Sequence, residues 1–107
     1  MLTLNTQEEV KSYIANNELV IAYFSTLHCS VCVSVKPKIE ALASNYRDVK
    51  LFYARIDEIP MLSGEYSVFA VPTIIIFISG KEHKRFSRFF SITEIQDTIE
   101  RYLELLK

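Results

Sequence analysis

Apolar and polar positions follow two rhythms along this chain. Val10, Tyr13 and Ile14 fall at helical spacing behind Asn5 and Thr6, and each of these polar residues has a glutamate three places on (Glu8, Glu9). That pattern predicts a short amphipathic helix with a capped start. After the polar break Asn16-Asn17-Glu18, the run Leu19-Val20-Ile21-Ala22-Tyr23-Phe24 is unbroken and of strand length, as expected for a central strand buried on both faces. Ser25 to His28 form a connection. From about Cys29 to Tyr46 the residues Val35, Ile39, Leu42, Ala43 and Tyr46 recur with helical period, and Pro37 inside this stretch predicts a bend about one turn after Cys32. Val49 to Ile56 reads as a second strand, Asp57 to Pro60 as a turn, and Met61 to Tyr66 as a short helical piece. Thr73 to Ser79 is a β-branched run that Gly80-Lys81 turns into an antiparallel partner, Glu82 to Ser87. Ser91 with Glu94 makes a capping box for a helix reaching the end of the chain, with Ile92, Ile95, Ile99, Tyr102, Leu103 and Leu106 on its buried face.

The resulting order, αβαβαββα, implies an α/β fold with a central sheet flanked by helices on both faces. The hairpin makes that sheet mixed. No repeat, low-complexity tract or linker interrupts the pattern, and 107 residues allow one domain spanning 1–107. At this length folding buries a little over ~60% of the unfolded surface, so the cysteines are not needed as scaffold.

Composition narrows the function. Half of the residues are hydrophobic and 23% charged, which excludes a disordered or fibrous chain. A formal charge of -1 lacks the positive excess that phosphate backbones select, so nucleic acid is not the expected partner. No stretch approaches a membrane span, and Met1 to Tyr13 carries Glu8 and Glu9 where a secretory leader would be basic and then apolar, so the expected address is cytoplasmic, away from membrane. Two cysteines close in sequence are, in a reducing compartment, more consistent with catalysis or metal binding than with a structural bridge.

Cys29 and Cys32 follow a buried strand and open a helix. At a separation of three residues they share one helix face, close enough for a rotamer adjustment to bring the sulfurs to bonding distance. The unpaired amides and positive dipole end at a helix start favour an anion, so Cys29 is expected to be partly thiolate and to act as nucleophile. Cys32, a turn inside, is shielded and expected to resolve a mixed disulfide.

With these residues in place the chain resembles the thioredoxin family, and the resemblance covers nearly all of it, from the strand-like Leu2-Thr3-Leu4 to the last helix. Pro37 falls five residues after Cys32, and Val71-Pro72-Thr73 precedes the third long strand. The resemblance implies a thioredoxin-like fold, a cis Pro72 beside the cysteines, and a substrate groove that includes Val71 and Pro72. Asp57, Tyr66 and Gly80 also sit at family-like spacings. Departures are specific: His28 replaces the usual tryptophan, Ser30-Val31 replace Gly-Pro, Tyr23 stands where many members have a buried aspartate, and Arg88 stands at a glycine position of the substrate-facing loop. Tyr23 has a hydroxyl but is a poor general base near neutral pH.

The expected activity is therefore thiol-disulfide exchange with protein substrates, needing no cofactor and no metal, with a disulfide reductase or another thiol donor as electron source. A redox-sensing or partner-binding module of the same fold, with little turnover, is the alternative. Half a zinc site is a weaker account of the cysteines, because only His28 and His83 remain as nitrogen donors. His28 either supports the Cys29 thiolate in mildly acidic conditions or is an exposed loop residue. Lys81, Lys84, Arg85 and Arg88 interleave with Phe86, Phe89 and Phe90. They read better as a solvated edge strand with aromatics turned to the core than as a nucleic-acid surface.

Overall fold

The computed structural model describes residues 2–87 and 89–105. Helix α1 (Gln7–Asn16) starts at Thr6, whose hydroxyl accepts the Glu9 amide at 3.1 Å. It leads into strand β1 (Leu19–Ser25), then helix α2 (Ser30–Ser44), strand β2 (Val49–Arg55) and the short helix α3 (Met61–Tyr66). Strands β3 (Thr73–Ile78) and β4 (Lys81–Ser87) follow, then helix α4 (Ile92–Leu105). Element order agrees with the spacing, and the ends shift by a residue or two. Leu106 and Arg88 lie outside the described residues.

The sheet order is β2-β1-β3-β4, with β1 parallel to β2 and antiparallel to β3. β1 is thus interior, as its unbroken apolar run requires. Its alternation divides two cores. Val20, Ala22 and Phe24 pack with Val10 and Ile14 of α1 and Leu62 of α3, whereas Leu19, Ile21 and Tyr23 pack with Ile39 and Leu42 of α2 and Ile95 and Ile99 of α4. The hairpin turns on Ser79 (φ 52°) and Gly80 (φ 81°), both left-handed, the geometry whose twist suits flanking strands. At the β2 edge, Leu4 and Leu2 exchange backbone bonds with Tyr53 around a bridge at Thr3, which covers part of that edge.

The aromatics after the hairpin part from expectation. Phe86 is buried and Phe90 packs on it at 6.1 Å, but Phe89 is 93% exposed. It lies past the end of β4, where strand alternation no longer dictates a side.

Candidate active site

Chain direction brings three segments to one end of the sheet. β1 ends at Ser25 and feeds the turn to α2, while β3, antiparallel to β1 with Phe24 opposite Thr73, begins there. β4 ends there too, with Ser87 opposite Thr73. The N-terminus of α2 and the segment Val71-Pro72 therefore meet at the same end, and the Val71–Pro72 peptide is cis.

Cys29 is the cap of α2 rather than its first residue. Its Sγ accepts the Cys32 amide at 3.1 Å, so the sulfur takes up one of the orphan donors at the helix start. Cys29 and Cys32 form a disulfide with Cα atoms 5.2 Å apart. The two sulfurs differ in access: Cys32 is 5% exposed, and Cys29 is half-buried at the surface. His28 is exposed in the turn before the pair, and Leu27 and Val31, apolar and exposed, flank it. Val71 is half-buried, and Pro72 is buried. Val71 and Cys29 both pack against the core cluster beneath α2.

Tyr23 lies under α2, and its hydroxyl donates to the Cys32 carbonyl at 2.7 Å. Burial pushes its ionisation up to about 12. It is a donor to the backbone of Cys32, and at neutral pH it is no proton acceptor. Beside it, in parallel register, Tyr53 meets it edge to face at 5.1 Å. Burial drives Tyr53 higher still, the Glu40 carboxylate adds to the effect, and its buried hydroxyl has no hydrogen-bond partner among the described residues. Lys36, one helical turn beyond Cys32, places its ammonium 4.8 Å above the Tyr53 ring. A cavity of about 250 Å³ joins these groups, with both cysteines, Tyr23, Tyr53, Lys36 and Arg55 in its wall.

Arg55 binds Asp57 at 2.6 Å and also Glu58, and it holds the Asp57 carboxyl below the usual range. Asp57 in turn accepts the Leu27 amide at 3.4 Å, which ties the cysteine turn to the end of β2. Tyr53 and Lys36 carry no local motif. Lys36 was accessible through its i, i+4 relation to Cys32, but Tyr53 becomes visible only once the register of β2 on β1 is known. Among the described residues, no three His, Cys, Asp or Glu side chains gather as a metal site.

Comparison with known proteins agrees with this geometry. The family model described as Thioredoxin matches residues 1–101. A thioredoxin-like protein of Bacillus subtilis, YdfQ, is 27% identical over 105 residues, 98% of this chain and 94% of that one. The thioredoxin of Chlamydia trachomatis is 34% identical over 85 residues, 79% of this chain and 82% of its own. The solved structure of Fasciola hepatica thioredoxin superposes with a TM-score of 0.84 at 31% identity, covering 94% of this chain and 98% of that chain.

Proposed function

The chain belongs to the thioredoxin family and is a thiol-disulfide oxidoreductase, and on that premise we propose that Cys29 is its nucleophile, Cys32 its resolving thiol, and Val71 and Pro72 part of its substrate groove. The Cys29 thiolate attacks one sulfur of a protein disulfide. A bond forms between Cys29 and the substrate, the substrate's disulfide breaks, and its other sulfur leaves as a thiolate. The Cys32 thiolate then attacks the Cys29 sulfur, closing Cys29–Cys32 and releasing the second substrate thiolate. Two electrons pass to the substrate, and a thiol donor of the disulfide-reductase class restores the dithiol.

One observation carries this division of labour. Cys29 caps α2 at the surface, its sulfur already receiving an amide, whereas Cys32 is 5% exposed. A sulfur that accepts an N–H at the positive end of a helix is stabilised as an anion, and a shielded one reacts only when its target is held beside it. His28, exposed in the turn next to Cys29, is the neighbouring side chain placed to modulate that thiolate. Tyr23 modulates Cys32 by holding its backbone.

The proposal extends to a single working domain over residues 1–107 and to a cytoplasmic setting, where a thiol donor keeps the pair cycling. No helix among the described residues is long and apolar enough to cross a membrane.

Insulin reduction with dithiothreitol as donor tests the assignment. Wild type is expected to accelerate it, Cys29→Ser to abolish the acceleration, and Cys32→Ser to accumulate mixed disulfides seen on non-reducing gels. A wild-type rate equal to the protein-free control would sink the catalytic reading in favour of a sensing module.

A further inference from the structure

The loop that carries Val71 and Pro72 leaves the C-terminal end of α3. That helix has only 6 residues, too short to hold itself, and its last carbonyls lack intrahelical donors. Its exit residue, Ser67, sits in the left-handed region at φ 54°, which strains a residue that carries a Cβ. Arg85 on β4 meets both needs. Its Nη2 donates to the Tyr66 carbonyl at 2.7 Å and its Nη1 to the Ser67 carbonyl at 2.9 Å. The guanidinium is itself held by Glu82, whose carboxylate accepts from Nε and Nη2 at 2.7 Å each. Such a fork has fixed geometry, and a cation at a helix C-terminus adds charge complementarity.

The far end of the loop is anchored from the same hairpin. Thr73 Oγ1 donates to the Ala70 carbonyl at 2.6 Å and lies 3.2 Å from Ser87 Oγ. Between the two anchors Phe69 is 82% exposed. Arg85 pairs with Ile75, whose side chain belongs to the core under α1 and α3, so Arg85 works from the sheet face opposite α2 and away from the sulfurs.

We propose that Arg85 is a positioning residue for protein substrates: by clamping the Tyr66 and Ser67 carbonyls it sets the course of the loop that presents Val71 to an extended polypeptide. This rests on the groove assignment made above. A small disulfide that reaches only Cys29 does not need the loop.

Steady-state kinetics on insulin and on 5,5′-dithiobis(2-nitrobenzoate) test it with wild type, Arg85→Met, Arg85→Lys and Val71→Asp. Arg85→Met is expected to raise KM for insulin roughly five- to tenfold with kcat nearly unchanged, and to leave the rate on the small disulfide within about twofold. Arg85→Lys, whose ammonium reaches one carbonyl, is expected to fall between. An unchanged insulin KM, or equal losses on both substrates, overturns the proposal. Should Arg85→Met not fold, Arg85→Lys alone decides by whether its insulin KM rises. If Val71→Asp raises that KM while the Arg85 variants do not, the groove stands and Arg85 falls; if none of them does, both fall.

Discussion

Whenever the disulfide is opened, Cys32 becomes a thiol or thiolate, and the cavity it lines has two phenols, Tyr23 and Tyr53, in its wall. The Tyr23 hydroxyl is committed to the Cys32 carbonyl at 2.7 Å, and burial pushes its ionisation up to about 12. The cavity wall adds Tyr53, Lys36 and Arg55, and no carboxylate is among the residues that line it. Tyr23 therefore acts on stability and on the placement of Cys32, leaving proton transfer to other groups. Tyr23→Phe is expected to cost about 1 kcal/mol in urea unfolding, the usual worth of one buried hydrogen bond. Its rate of insulin reduction at pH 7 is expected to stay within about twofold of wild type. A tenfold fall would mean that the hydroxyl moves a proton. The position of Tyr23, six residues before Cys29, was legible in the sequence, because it rests on counting along a strand. Its partner was not, because a backbone carbonyl on a helix leaves no trace in residue type.

At the scale of elements, what the sequence discloses is whatever depends on neighbours within a few residues. The Ser91 and Glu94 spacing is such a case: the Glu94 amide donates to Ser91 Oγ at 3.2 Å and the Ser91 amide to Glu94 Oε2 at 2.9 Å. This box starts the helix that seats Ile95 and Ile99 in the core under α2, so its loss is felt beyond the cap. Ser91→Ala is expected to cost about 1 kcal/mol and, by calorimetry, to lower Tm by roughly 4–8 °C. The same local logic exposed the central strand, the hairpin turn and the cysteine corner. It failed for Arg85, which by composition belongs to a basic edge, yet reaches 18 and 19 residues back to two carbonyls. It failed for Phe89 because the strand ends two residues before it. Spacing specifies what an element is and which way it faces, whereas contacts between elements follow from topology, and the bonds from Arg85 to the Tyr66 and Ser67 carbonyls and the wall of the cavity are both of that kind.

For the molecule as a whole, tyrosine packs into the cores on both sides of the sheet. Tyr23 and Tyr53 sit in the core under α2 and α4, while Tyr66 stacks on Phe24 in the core under α1 and α3. Burial raises all three, Tyr23 and Tyr66 to about 12, with the Glu65 carboxylate assisting at Tyr66. Below the ordinary phenol value near 10, folded and unfolded chains hold these protons equally and pH has no leverage through them. Between about 10 and 12 the unfolded chain has released protons that the folded chain still keeps, so the unfolded state is favoured and stability falls as pH rises. For Tyr23 alone, 1% exposed, the loss by pH 12 is on the order of 2 kcal/mol. Because groups on both faces titrate in the same direction, both cores weaken together, and the transition is expected to remain cooperative. Urea midpoints measured from pH 8 to pH 12 are expected to be flat to about pH 10 and then to drop steeply, with a shallower drop in Tyr23→Phe. A wild-type midpoint that holds steady to pH 11.5 would show that the phenols ionise in the folded chain as freely as in water, and that the packing around Tyr23 and Tyr66 admits solvent.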